Sequence, residues 1–169
     1  MKYITSLTNL IPEPCSKDEV ATMLDNMPWG QGFEWVDLLD FAHYLHLYKV
    51  APDTAIFCEG HKEPYMGFVV KGEARVEKKD DHSNAVIIAK LGAGKTFGEM
   101  SLIDGQPRSA TVVTVSQLEF LALFPDEFSG LCEHKPQAAV KFMMEVARQM
   151  SARLRQTSGR LVDFLPPEK

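Results

Sequence analysis

The spacing of apolar residues divides the chain into a helical beginning, a β-rich middle and a helical end. Near the N-terminus, Ser16 and Glu19 form a capping-box pattern, and apolar residues then recur at helical spacing until a proline. After a glycine-containing break, a second helical stripe runs from Trp35 to Leu45. We therefore predict an N-terminal arm and two short helices within residues 1–45.

Residues 46–124 contain short β-type runs that alternate with turn-forming residues. The predicted strands cover residues 47–50, 55–58, 65–70, 73–78, 85–91, 110–115 and 118–124. Many short strands without long intervening helices are typical of a jelly-roll-like double sheet. The expected fold is therefore mainly β, a β-roll or double-stranded β-helix with flanking α-helices.

Residues 125–169 return to a helical pattern and end in a tail. Pro125 and Pro136 each suit a first helical position, and the second helix is predicted to run to about residue 158. Its apolar residues form two stripes: Ala139, Met143, Val146 and Met150, and Val140, Ala147 and Leu154. We expect one stripe to face the sheet and the other to face a partner or ligand. The tail from Leu165 is expected to fray.

Length and composition indicate one domain. The chain has 169 residues, enough for one core and too few for two ordinary domains. A net charge of −5 and only nine residues after Arg160 argue against DNA binding by this chain alone. No apolar run is long enough to cross a membrane, and the N-terminus lacks a signal-peptide pattern, so a cytoplasmic protein without membrane segments is expected.

Residues 97–111 carry the strongest signal for a ligand. Gly98 permits close approach of the backbone to a ligand. The residues that follow, including Met100 and Ser101, are compatible with one helical turn, whose free N–H groups would point towards an anion. We therefore expect an anion to bind beside this turn.

Glu99 and Arg108 provide the charged groups of this segment. Arg108 enters a strand of small and β-branched residues, where a desolvated guanidinium is costly unless paired, and its planar donors fit phosphodiester oxygens. Ser109 adds a hydroxyl donor, and the Glu99 carboxylate suits a sugar hydroxyl. The alternative is that Glu99 and Arg108 simply pair with each other across a loop.

The whole segment resembles the phosphate-binding cassette of the cyclic-nucleotide-binding domain family, which includes catabolite activator proteins, protein kinase A regulatory subunits and cyclic-nucleotide-gated channels. The match comprises Phe97-Gly98-Glu99-Met100-Ser101-Leu102 and Arg108-Ser109-Ala110-Thr111, and the resemblance covers most of residues 40–155. It implies that Glu99 binds the ribose 2′-hydroxyl and that Arg108 and Ser109 bind the cyclic phosphate. The expected ligand-binding residues are Gly98, Glu99, Met100, Ser101, Arg108, Ser109 and Ala110. Ser109 resembles the cAMP-binding regulators, so cAMP is the expected ligand, with cGMP also open.

The chain departs from the family pattern at two positions. Asp53 stands where a turn glycine is usual, and His61 replaces a frequent aspartate. Neither is expected to touch the ligand. Aspartate tolerates left-handed conformations, and His61 is interpreted as an ordinary loop residue rather than a pH-sensitive group.

Other functional motifs are weak. Residues 89–96 nearly match the ATP-binding loop G-x-x-x-x-G-K-[ST], with Ala89 replacing the first glycine, but no long helix follows. ATP binding is therefore a remote alternative, and a turn is predicted. No catalytic motif is recognisable, so we expect no enzyme, no catalytic residue and no cofactor. The spacing of His43 and His46 and of three scattered cysteines indicates packing rather than a metal site.

We expect a sensor whose C-terminal helix acts as a lid and moves when the ligand binds. The stripe of Val140, Ala147, Leu154 and Leu161 makes a helix-mediated homodimer plausible, and the sensor would signal to an unidentified effector protein. Purine contacts are expected around residues 150–154, whereas the arginines of this helix, Arg148, Arg153, Arg155 and Arg160, are interpreted as a solvated face. The competing hypothesis is a scaffold protein on the same fold that binds no nucleotide.

Overall fold

The computed structural model describes residues 2–4 and 6–162. Its strands are β1 (Lys2–Tyr3), β2 (His46–Val50), β3 (Thr54–Phe57), β4 (Met66–Lys71), β5 (Ala74–Lys79), β6 (Ala85–Leu91), β7 (Thr96–Phe97), β8 (Thr111–Thr114) and β9 (Leu118–Leu123). Its helices are α1 (Lys17–Asp25), α2 (Trp35–Ala42), α3 (Glu99–Asp104), α4 (Pro125–His134) and α5 (Pro136–Val162). All seven predicted strands are present within one or two residues. The predicted tail lies outside the described residues.

The strands form two sheets. One has the order β1-β3-β8-β5-β6 and the other β2-β9-β4-β7. Pairing is antiparallel except between β1 and β3, which are parallel. The two sheets with flanking helices confirm the predicted jelly-roll. The chain crosses repeatedly between the sheets, so β7, α3 and β8 place the predicted cassette at the junction of both.

The helices begin where local chemistry predicts. The Ser16 hydroxyl accepts a hydrogen bond from the Glu19 N–H, and the Glu19 carboxylate accepts from the Ser16 backbone N–H, so the capping box at α1 is confirmed. Pro125 and Pro136 occupy the first positions of α4 and α5. A proline there loses no hydrogen bond, because the first N–H groups of a helix have no partner inside it.

Two apolar cores hold the molecule together. One fills the space between the sheets and includes Phe57, Tyr65 and Phe120. The other lies where the helices pack on β4 and β9, with Trp29 and Phe142 at its centre. Because α5 contributes to the second core, its position depends on contacts with both the N-terminal helices and the β-roll.

The structure distinguishes the two predicted stripes of α5. Ala139 and Val146 of the first stripe are buried, and Met143 and Met150 pack against the helical core. In the second stripe, Val140 is 63% exposed and Leu154 is 68% exposed. One apolar face of α5 therefore has no covering within the described residues. Among those residues, no helix is both long enough and apolar enough to cross a membrane.

Candidate functional site

The predicted cassette folds as a short helix between two left-handed glycines. Gly98 precedes α3 with φ +76°, and Gly105 follows it with φ +65°. A Cβ at Gly98 would lie 2.6 Å from the Tyr65 carbonyl oxygen, so a side chain is excluded by both conformation and space. Ser101 is buried, whereas Met100 is 46% exposed. The backbone at Gly98 therefore packs directly against Tyr65, the residue that precedes β4.

The buried Arg108 side chain lies beside two aromatic rings, and only one of its three guanidinium nitrogens forms hydrogen bonds with described residues. The side chain lies 3.9 Å above the Phe57 ring and 4.3 Å from the Tyr65 ring. Nη1 donates to the carbonyl oxygens of Tyr65, at 2.8 Å, and Gly98, at 3.1 Å. Nε and Nη2 are buried without a partner among the described residues. Burial lowers the pKa of Arg108, and this effect outweighs the opposing influence of Tyr65, Glu63 and Glu99.

The backbone of Arg108 is fixed by the loop after β3. Its N–H donates to the His61 carbonyl oxygen and its own carbonyl accepts from the Gly60 N–H, both at 2.8 Å. His61 therefore supports the arginine through its main chain. Asp53 has φ +54°, so this aspartate adopts the left-handed conformation that was expected to be tolerated at a glycine position.

Glu99 pairs with the C-terminal helix and not with Arg108. Its Oε1 forms an ion pair with Nη1 of Arg153, whose Nη2 donates to the carbonyl oxygen and hydroxyl of Thr96. Oε2 of Glu99 is buried and has no partner among the described residues. The alternative that Glu99 and Arg108 satisfy each other is therefore wrong.

The interpretation of Arg153 as part of a solvated face is also wrong. Arg153 extends the sheet-facing stripe by one further step after Val146 and Met150, at spacings of four and three residues. A charged residue at the next position of a buried stripe predicts an oppositely charged partner in the core. The position of Arg153 in the sequence could therefore have indicated this ion pair. Arg148 and Arg155 are exposed, as expected, and the side chain of Arg160 lies outside the described residues.

Unsatisfied polar atoms concentrate at Glu99 and Arg108. Among the described residues, four buried side-chain nitrogen or oxygen atoms have no hydrogen-bond partner: Glu99 Oε2, Arg108 Nε, Arg108 Nη2 and Trp29 Nε1. Three of the four belong to this pair. Buried polar groups are nearly always satisfied in folded proteins, so one acceptor and two donors left open together indicate a place for a ligand.

The remaining predicted residues surround this pair. The Ser109 hydroxyl is exposed and lies 3.7 Å from the Met100 sulfur, which is a weak contact. Ala110 is buried directly before β8, two residues after Arg108. The structure therefore brings the charged and small residues of the prediction into one region of the fold.

The glycine-rich segment before the cassette forms a turn, as predicted. The N–H of Gly94 donates to the Val69 carbonyl oxygen and the N–H of Lys95 donates to Gly92, so these amides are not free to bind phosphate. The helix that follows, α3, has only six residues. The arrangement differs from an ATP-binding loop in both respects. Within the described part of the chain, no cluster of side chains could hold a metal ion.

Together these features define a β-roll domain with a cassette that contains one buried cation and one buried carboxylate, each with unsatisfied polar atoms. The family model of the cyclic nucleotide-binding domain matches residues 48–135, just over half of the chain. This chain therefore belongs to the cyclic nucleotide-binding domain family. Domains of this family are regulatory and not catalytic.

Relatives and solved structures agree with this family. The chain is 28% identical over 159 residues to the cAMP-activated global transcriptional regulator CRP of Haemophilus influenzae, covering 94% of this chain and 65% of that protein. It is 36% identical over 92 residues to a cyclic nucleotide-gated potassium channel of Rhizobium etli, covering 54% of this chain and 24% of the channel. The chain thus spans only part of the curated relatives it matches.

A solved cyclic nucleotide-binding domain from Methylobacillus flagellatus superposes with a TM-score of 0.79 at 27% identity, covering 90% of this chain and 85% of that one. The catabolite activator protein of Thermus thermophilus gives a TM-score of 0.70 at 26% identity, covering 84% of this chain and 62% of that one. The β-roll and its flanking helices are therefore shared with known cyclic nucleotide-binding domains.

Proposed function

We propose that this chain is a cAMP sensor that catalyses no reaction and bridges its ligand between Arg108 and Glu99. The observation that carries the proposal is the set of three buried, unpartnered atoms on these two residues. Nε and Nη2 of Arg108 are donors that match two non-bridging phosphate oxygens, and Oε2 of Glu99 is an acceptor that matches a ribose hydroxyl. A cyclic mononucleotide carries both groups on one rigid ring system.

The preference for cAMP is supported by the curated relatives, which include cAMP-activated regulators. It also agrees with the serine at position 109, beside Arg108. We assign Gly98, Met100, Ser101 and Ala110 to the same site, because they shape the backbone around the charged pair. Purine contacts on α5 are proposed for residues 150–154, the segment that already contains Arg153.

Signalling is proposed to run through α5. Arg153 joins this helix to Glu99 and to Thr96, so the ligand site and the helix share one hydrogen-bond network. A ligand that changes the position of Glu99 would change the contacts of α5. The ligand can change the free-energy difference between the two positions of α5 by no more than the difference in its binding free energy for them. The receiving effector protein and a cytoplasmic location belong to the same proposal.

Titration calorimetry with cAMP, cGMP and a cyclic dinucleotide tests the proposal. Each charge-assisted hydrogen bond contributes about 1.5–3 kcal/mol, so loss of both free donors in Arg108→Ala should weaken cAMP binding by about 100-fold to 10,000-fold. Arg155→Ala is the matched control, because Arg155 is an exposed arginine of α5. A melting curve checks that each variant is folded.

The same titrations decide between the sensor and the scaffold hypothesis. Heat with cAMP that disappears in Arg108→Ala and persists in Arg155→Ala supports the sensor. No heat with any cyclic mononucleotide, in a protein whose circular dichroism and melting curve are normal, would leave the scaffold as the better account. If Arg108→Ala and Arg155→Ala bind cAMP equally well, Arg108 is not part of the ligand site.

A second copy of this chain is the proposed partner of the exposed face of α5. Val140, Met144, Ala147, Ser151 and Leu154 follow one another at alternating spacings of four and three residues, which is the heptad pattern of a coiled-coil seam. The first three line an apolar groove of about 530 Å³. Leu161, which was predicted to belong to this stripe, has a side chain outside the described residues.

The flanking charges favour a parallel pair. Lys141, Arg148 and Arg155 all lie on one side of the seam, so an antiparallel pair would bring these cations face to face, whereas a parallel pair would place them beside Met143 and Met150. Sedimentation equilibrium should show a dimer that Leu154→Glu dissociates and Ala152→Glu, on another face, does not. A strictly monomeric wild-type mass would refute this interface.

A further inference from the structure

A cleft that contains no residue of the cassette at 97–111 lies between α5 and the N-terminal helical region, and it shares only Ala152 and Arg153 with the segment proposed for purine contacts. It has a volume of about 340 Å³ and is bordered by Pro28, Trp29, the turn at residues 93–95 and the α5 residues Glu145, Gln149, Ala152, Arg153 and Gln156. The α5 residues of the cleft lie on a different helical face from the dimer stripe. The cleft therefore stays accessible in a helix-mediated dimer.

Trp29 supplies a buried donor that nothing in the described part of the chain satisfies. The residue is only 2% exposed, and its ring stacks on Phe33 and meets Phe68 edge to face. Its indole Nε1 has no hydrogen-bond partner among those residues. An indole N–H can only donate, so a ligand atom that satisfies it must be an acceptor.

The other polar groups of the cleft also favour a negatively charged ligand. Lys95 is exposed at the rim and forms no ion pair with a described residue. Glu145 is the one carboxylate in the lining, and it is compensated by Arg148 and by the Gln149 amide, at 3.3 Å each. The unsatisfied groups are thus donors, and Pro28, Ala93 and Ala152 provide apolar walls.

We propose that this cleft binds a small organic anion, a carboxylate or phosphate monoester with a compact apolar body. The anionic group would be held by Lys95 and the Trp29 indole N–H, and the body would pack on the proline and alanine walls. Lys95 belongs to the near-match to an ATP-binding loop at residues 89–96. It would bind the anion through its charge alone, because the neighbouring backbone N–H groups are not free to bind phosphate.

The cleft is joined to the cassette through Thr96. The Thr96 hydroxyl donates to Gln149 Oε1 at 2.8 Å and also accepts from Arg153, which holds Glu99. Gln149 and Arg153 both line the cleft. Occupation of the cleft should therefore change the affinity of the cassette for its nucleotide, and the nucleotide should change the affinity of the cleft by the same factor. This coupling rests on the proposed function; the binding of an anion in the cleft does not.

Tryptophan fluorescence in Trp35→Phe protein tests the site, because Trp29 is then the sole indole reporter and Trp35 lies outside the cleft. The probes are benzoate, phenyl phosphate and neutral benzamide. We expect both anions to alter the emission saturably and benzamide to have little effect. In calorimetry, Lys95→Ala should weaken anion binding about tenfold or more, and Trp29→Phe should weaken it less. Lys90→Ala, outside the cleft, is the matched control.

The Arg108→Ala variant separates failure of the proposed function from failure of the cleft proposal. In Arg108→Ala protein, benzoate binding should be retained, because the cleft does not use the cassette. If cAMP fails to bind but benzoate binds and responds to Lys95→Ala, the proposed function fails and the cleft site stands. Absence of saturable binding by either anion, equal binding of benzamide, or binding unaffected by Lys95→Ala would each overturn the cleft proposal. Preference for one anion over the other identifies the carboxylate or the phosphate as the ligand group.

Discussion

Replacement of Arg153 by methionine should release α5 from the cassette while keeping most of the side-chain volume. The substitution removes the ion pair with Glu99 and the hydrogen bonds to Thr96. Hydrogen bonds to charged groups contribute about 1.5–3 kcal/mol each, but the Arg153 side chain is 41% exposed, so water replaces part of the loss. We expect the free energy of unfolding to fall by about 2 kcal/mol, which for a chain of this size lowers Tm by about 4–8 °C.

The control for this prediction is Arg155→Met, two residues further along α5. Arg155 is exposed and forms no ion pair with a described residue, so its replacement should change stability by less than about 0.5 kcal/mol. Differential scanning calorimetry gives Tm, and hydrogen exchange shows where protection is lost. Arg153→Met should increase exchange in α5 after residue 149 and in β7.

A double-mutant cycle with Glu99→Gln isolates the pair itself. If Glu99 and Arg153 stabilise each other, the two single changes together should cost less than the sum of their separate effects, because either one already breaks the ion pair. Full additivity, or equal Tm values for Arg153→Met and Arg155→Met, would refute the conclusion that this contact anchors the helix.

Three further predictions concern other parts of the fold. Gly98→Ala should lower stability by more than about 1 kcal/mol and weaken cAMP binding, measured by melting and calorimetry, because its φ is +76° and its Cβ would meet Tyr65. Phe142→Ala should cost about 3–5 kcal/mol in urea unfolding, since the side chain is fully buried. Hydrogen bonds from Ser16 lower the pKa of Glu19, so its charge stabilises the folded state above the ordinary value of 4.5, and this contribution is lost as the pH falls through the lowered pKa. Glu19→Gln should therefore destabilise the protein at pH 7 and have a shrinking effect as the pH falls below 4.5, as urea unfolding at several pH values would show.

The sequence predicted those features that depend on nearby residues. The capping box at Ser16, the prolines that begin α4 and α5, and the alternation that marks the strands all act within a few positions. The burial of Arg108 was also predictable, because its neighbours in the strand are small and apolar. The short β7 and the parallel pairing of β1 were not predicted, since two-residue strands carry too little pattern to detect.

Contacts between residues far apart in the sequence could not be predicted from local patterns. Glu99 was expected to face the ligand alone, but Arg153 lies 54 positions further along the chain and meets it because α5 packs across the roll. The unpartnered indole of Trp29 likewise depends on how four aromatic rings pack around it. Such pairings follow from tertiary packing, which sequence spacing on one helix can indicate only in part.

The main-chain bonds that hold Arg108 make position 61, in the loop before β4, permissive to changes of side chain. Gly60 and His61 reach the arginine only through an amide and a carbonyl group, so most replacements at position 61 should leave the ligand site intact. Proline is the exception at position 61, because the His61 N–H donates a hydrogen bond to Cys58. Gly60 is different, because its φ of +85° strains any L side chain. Position 61 is accordingly free to vary without loss of the geometry of the guanidinium, whereas position 60 is not.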